Sequence, residues 1–156
     1  MAESDAPIVV AVFDAGMGDP AARSSGIRLA VWDDGTVLTC TDPLHPDKDM
    51  RVGRLSPQQL AAGLRDLNRA EFFVHPNMSH VAPDSSYLTI AAKSKEGVRT
   101  HRLDTYGQSQ VHWWPRALAA LEKFRPGETR PVREMATQGQ FRGFVVDEWW
   151  RTPWRR

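Results

Sequence analysis

A chain of 156 residues with 41% apolar and 25% charged side chains is long enough to bury a hydrophobic core and too apolar to be wholly disordered. Its net charge of +1 lacks the chain-wide basic excess of a general nucleic-acid binder. A single cysteine, Cys40, excludes a disulfide-stapled architecture, and no stretch approaches the ~20 consecutive apolar residues of a membrane helix.

The charge is distributed unevenly. Residues 1–50 carry a net −6, residues 51–122 a net +3 and residues 123–156 a net +4. Such polarity makes opposite faces of one fold attract, or steers a charged partner. Met1 to Asp5 is acidic and lacks the basic region and apolar core of a secretory signal. That points to the cytoplasm and leaves a mature periplasmic or secreted form open.

Ile8 to Phe13 is a β-branched run that reads as a strand buried on both faces. Ala15 to Gly26 is rich in Gly, Ser and Pro and reads as a loop. Ile27, Leu29 and Val31 alternate with Arg28, Ala30 and Trp32, the pattern of a strand with one buried face. Asp33-Asp34-Gly35 then marks a hairpin returning through Val37 and Leu38, because Asp and Gly tolerate the positive φ angles of a tight turn. Cys40 falls at the end of that strand, as a small core or edge residue. Asp42 to Asp49 is a solvated loop, and Met50 to Leu55 forms a short further strand.

Ser56-Pro57-Gln58-Gln59 is a capping box with proline at the first helical position. Leu60, Leu64 and Leu67 share one face of the helix that follows, which ends within Asn68 to Glu71. Tyr87 to Leu103 reads as a second hairpin turning at Ser94 to Gly97. A second helix with Pro115 in its first turn carries Ala117, Leu118, Leu121 and Phe124 as its apolar stripe and stops at Pro126-Gly127. Hairpin followed by helix thus occurs twice, about sixty residues apart. The expected fold is one α+β domain over residues 1–156, an antiparallel sheet of five to seven strands with two helices packed on one face. Residues 127–156 read as a C-terminal extension with a last strand at Phe141 to Val146 and a Trp/Arg-rich tail.

Chemical motifs are few. Gly16-Met17-Gly18-Asp19-Pro20-Ala21 matches the spacing of a dinucleotide-binding turn, but the seven or so residues before the next strand are too few for a crossover helix. His75-Pro76-Asn77-Met78-Ser79-His80, with Asp84 nearby, places two imidazoles and a carboxylate in one loop. Those donors suit zinc or iron with an open position for water, although hydrogen bonding to backbone or solvent is the competing role. His101, in the second hairpin, is expected to face solvent or a partner. Ser85 and Ser86 beside Asp84 and His80 are the clustered candidates for a serine nucleophile, without the elbow motif such enzymes use. Trp113-Trp114 and Tyr106 either cover the end of the sheet or extend an aromatic surface. No motif implies an organic cofactor.

The tail Trp149-Trp150-Arg151-Thr152-Pro153-Trp154-Arg155-Arg156 holds three of the six tryptophans. Trp149, Trp150, Arg151, Trp154 and Arg155 suit hot-spot contacts with a protein partner. The competing role for the indoles is to fold back and fill a gap on the sheet. The leading functional expectation is a non-enzymatic interaction module of inhibitor, immunity or accessory-subunit type. The alternative is a small metal-dependent enzyme with ligands His75, His80 and Asp84. A third reading has the tail binding single-stranded nucleic acid or an anionic membrane, which its three or four cations support weakly.

Overall fold

The computed structural model describes residues 6–15, 26–40 and 50–132. In chain order its strands and helices begin with β1 (Ile8–Ala15), β2 (Gly26–Trp32), β3 (Thr36–Cys40), β4 (Met50–Arg54) and α1 (Pro57–Arg69). The edge strand β5 (Ser79–His80), the hairpin β6 (Tyr87–Ser94) and β7 (Gly97–Asp104), the short α2 (Thr105–Gln110) and α3 (Trp114–Leu121) follow. A 3-10 turn over Glu122–Phe124 and the strand β8 (Thr129–Pro131) complete the described residues.

The expected α+β character holds, with one sheet of eight strands in the order β5-β7-β6-β1-β2-β3-β4-β8. All neighbours are antiparallel except β5 and β7. Two of the eight strands, the edge pieces β5 and β8, were not expected from the sequence; at two and three residues they are too short to show alternation. β8 lies within the stretch read as an extension, yet it pairs with β4 through Val52↔Arg130 and Gly53↔Thr129. The expected strand at Phe141 to Val146 and the glycine turn after β1 lie outside the described residues.

Side-chain alternation splits the apolar residues between the two faces of the sheet. Val12, Leu29, Val31, Val37, Ile90 and Leu103 join the helices in one cluster. Ile8, Ile27, Trp32, Leu38, Met50 and Val52 form a second. β1 serves both faces, as its β-branched run predicts, and a bulge between Ile8 and Val10 lets Val9 and Val10 both join the helix-side cluster. β2 corrects the one-faced expectation: Ala30 and Trp32 are as buried as Leu29 and Val31. Arg28 is exposed at a second register shift, where its guanidinium pairs with Asp14. The first turn is built as its residues require, with Gly35 at φ +89° and the Asp34 carboxylate accepting the Thr36 N–H at 2.9 Å.

The Ser56 cap forms as read. Ser56 Oγ accepts the Gln59 N–H at 3.1 Å, and Gln59 Oε1 accepts the Ser56 N–H at 2.9 Å. Leu60 and Leu67 are buried and Leu64 is half-buried. In α3 the buried stripe is turned from the expected one: Trp114, Ala117, Ala120 and Phe124 face inward, while Leu118 and Leu121 are half-buried. Alanine faces inward because α3 lies close against α1. The tightest approach is at Gly63, where a Cβ would stand 2.5 Å from the buried Phe124 ring.

Gly63→Ala therefore sets a helix-propensity gain of about 1 kcal/mol against an overpacking cost of about 1–3 kcal/mol. Phe124 is fully buried and its ring must shift to admit the new methyl group, so overpacking wins. The expected outcome is a net loss of roughly 1 kcal/mol by urea denaturation, where unstrained Gly→Ala changes in helices stabilise.

Candidate functional site

Where β7 runs into α2, the sheet edge gathers most of the polar residues singled out above. β7 would otherwise present an open edge, and residues 75–80 close it. Arg102 N–H donates to Met78 O at 2.8 Å, Thr100 N–H to Asn77 Oδ1 at 3.0 Å, and Arg99 Nε to His75 O at 2.9 Å. β5 is the short paired part of this strap, with Ser79↔Arg102 and His80↔Leu103 in register.

His101 locks the strap from beneath. It was expected at the surface; instead its exposure is 0%. The Met78 N–H donates to its Nδ1 at 3.2 Å, so the ring proton sits on Nε2, which donates to the Phe72 carbonyl 3.0 Å away. The ring meets Phe72 and Trp113 edge-on, with centroids at 4.6 and 5.0 Å. Trp113 and Trp114 are each 1% exposed, so these indoles pack the sheet end. Burial holds the His101 pKa below its ordinary value, the Phe72 hydrogen bond opposes that, and the nearby His75 and Arg99 add to the lowering.

Asp104 is the second hub. Its carboxylate caps α2 by accepting the Gly107 N–H at 2.6 Å and also accepts the Ala82 N–H at 2.8 Å. These backbone donors hold its pKa below the ordinary carboxylate range. His80 Nδ1 lies 3.4 Å from the same carboxylate, and its ring rests against Gly107, where a Cβ would meet it at 3.1 Å. Tyr106 stands beside it with ring centroids 5.7 Å apart. On the neighbouring strand, Arg102 lies over the Tyr87 ring at 5.5 Å.

The structure places the three expected metal ligands in different surroundings. The His75 ring stacks on Trp113 at 5.2 Å and 5° between planes, His80 faces Asp104, and Asp84 is exposed in a turn at φ +58°. Among the described residues no group of three or more His, Cys, Asp or Glu side chains is placed to hold a metal ion. Nor, among those residues, does a hydrogen bond join Ser85 or Ser86 to His80; the Ser85 N–H closes a turn onto Ala82 O. Cys40 is buried, in keeping with its core assignment. Trp149, Trp150, Arg151, Trp154 and Arg155 lie outside the described residues.

What this edge offers a second molecule is side-chain surface. Among the described residues, Val74 and Tyr106 are the large apolar side chains most open to solvent, at 70% and 65% exposure. Tyr106 lies beside His80 of β5, which is too short to recruit a strand and is followed by Pro83. Sequence reasoning placed His101 at the surface and missed Asp104, although Asp104-Thr105-Tyr106-Gly107 carries the cap signal of an Asp directly before a helical turn. Among the described residues no helix is long and apolar enough to cross a membrane. Compared with protein-family models, with curated proteins and with solved structures, the chain matches none.

His101 makes stability depend on pH with a defined sign. Its folded pKa is depressed, so the unfolded chain takes up the proton first as pH falls. This contribution is complete above the ordinary histidine value of 6.5 and is lost as pH drops from there toward the native value. Thermal melting should fall as the pH drops below the ordinary histidine value of 6.5. His101→Gln should melt lower, by about 2 kcal/mol of stability, with a flatter dependence over that range. An unchanged slope would assign the titration to other groups.

Proposed function

We propose that the protein is a non-enzymatic interaction module, of inhibitor, immunity or accessory-subunit type, that binds a protein partner through aromatic and arginine side chains. The observation that carries this reading is the placement of Tyr106. An aromatic ring 65% open to solvent stands on a base whose polar groups are buried and hydrogen-bonded, with Asp104 and Gly107 beneath it. Such an anchor loses little conformational entropy on binding, because its backbone is held before the partner arrives. The Trp/Arg residues Trp149, Trp150, Arg151, Trp154 and Arg155 supply a second group of the side-chain types that dominate interface energetics.

Affinity capture from lysate of the source cell tests this reading with the full chain, a chain ending at Gln140, and Tyr106→Ala. The expected result is one stoichiometric protein partner, weakened about tenfold or more by Tyr106→Ala, which corresponds to a hot-spot loss of roughly 1.4 kcal/mol or more. The truncated chain should lose the partner as well. Undiminished affinity after replacing Trp149, Trp150, Arg151 and Trp154 together with alanine removes the tail from the interface. Failure of every version to retain a partner removes the interaction reading itself.

A further inference from the structure

The outer faces of α1 and α3 meet in a shallow cleft of about 290 Å³. Its floor is alanine: Ala70 and Ala120 are nearly fully buried, and Ala119 is exposed beside them. Its rim carries three cations, Arg69, Arg116 and Lys123, against one carboxylate, Asp66. Neutralisation on the rim is incomplete. Lys123 Nζ stands 3.9 Å from Asp66 Oδ2, at the outer limit of an ion pair. Arg116 is held by Glu71, whose carboxylate also lies 3.5 Å from His112 Nε2. Arg69 has no ion-pair partner among the described residues.

We propose that this cleft is the docking site for an acidic helical segment of the protein partner, with a small apolar side chain on the alanine floor and carboxylates at Arg69 and Lys123. The inference rests on the interaction reading and names a partner chemistry for it. Charge complementarity selects the occupant. Carboxylates on either side of an apolar contact match cations on either side of an alanine floor, and a basic segment would be repelled. Nucleic acid fits less well, because three cations interrupted by Asp66 neutralise too few phosphates for binding at physiological salt. Arginine on the rim suits the role, since its planar fork binds a carboxylate with two hydrogen bonds.

The test is a titration of the full chain, labelled with ¹⁵N, with a synthetic helical peptide built of glutamate, alanine and leucine. Saturable shifts are expected at the amides of Arg69, Ala70, Ala119 and Ala120. Affinity should fall about tenfold or more in the R69E/K123E double variant, which replaces two attractions by repulsions. It should also fall in wild type as salt rises. Ala119→Gln, on an exposed helix position, serves as a second variant that fills the cleft without touching the core or changing its charge, and it too should abolish the shifts. Shifts elsewhere, or equal affinity in the double variant, overturn the proposal. So does tighter binding of a single-stranded oligonucleotide to the same residues, which assigns the cleft to nucleic acid. Concentration-dependent shifts of these amides without peptide assign it to a second copy of the chain. The two readings fail separately: a cellular partner retained by R69E/K123E keeps the interaction module and removes the cleft, whereas loss of every partner removes the module.

Discussion

β1 must satisfy its backbone on both sides at once, and the rest of the fold takes its place from that requirement. It pairs with β2 through Val10↔Val31 and Val12↔Leu29 and with β6 through Val10↔Ala92 and Val12↔Ile90. The meander β1-β2-β3-β4 carries the chain steadily away from β1. To reach the open side of β1, the chain must then cross a face of the sheet, and α1 is that crossing. Its leucines supply the apolar surface that Val12, Leu29 and Val31 need as a cover. α3 then fills the rest of the same face, and the close packing at Gly63 and Ala120 follows from two helices sharing it.

The same crossing creates the problem that His101 and Asp104 solve. After α1 the chain must turn and run back along β7, and a turn of that kind has backbone groups that neither helix nor sheet satisfies. His101 accepts from Met78 and donates to Phe72, joining both ends of the connection to the sheet. Asp104 accepts from Ala82 and Gly107, which joins the far end of the strap to the start of α2. Each side chain uses polar atoms that would be costly to bury alone. The edge is held by directional bonds as well as by the packing of His101 against Phe72 and Trp113, so the exposed residues it carries, Tyr106 above all, are held in place.

Legibility in the sequence followed the range of the interaction. Local rules sufficed for the capped start of α1, the Asp34-Gly35 turn and the β6-β7 hairpin, because each depends on a few adjacent residues. Long-range partners were out of reach. Nothing in the residues near His101 announces that Phe72 and Met78 will fold over it, so a histidine in an alternating strand read as exposed. His75 and His80 are close in sequence, yet a strap laid flat along β7 sends one ring to Trp113 and the other to Asp104. Proximity in a loop says little about convergence when the loop is extended. The buried stripe of α3 was misplaced for a related reason: alanine faces inward where a neighbouring helix comes close, and periodicity alone cannot register that neighbour.

β5 and β8 are short, and β8 ends in Pro131, so neither edge offers an extended template for an added strand. The large aromatic residues Trp32, Trp113, Trp114, Phe72 and Phe124 are spent on packing. Contact through the described residues therefore falls to side chains projecting from helices and from the strap. These divide by chemistry, with the Tyr106 ring beside β5 and cations over the helix pair. An apolar anchor contributes affinity through burial, while rim charges select among partners and speed encounter. The two groups stand on separate supports: Tyr106 rests on Asp104 and Gly107, while Arg69 and Lys123 rest on the packing of α1 against α3.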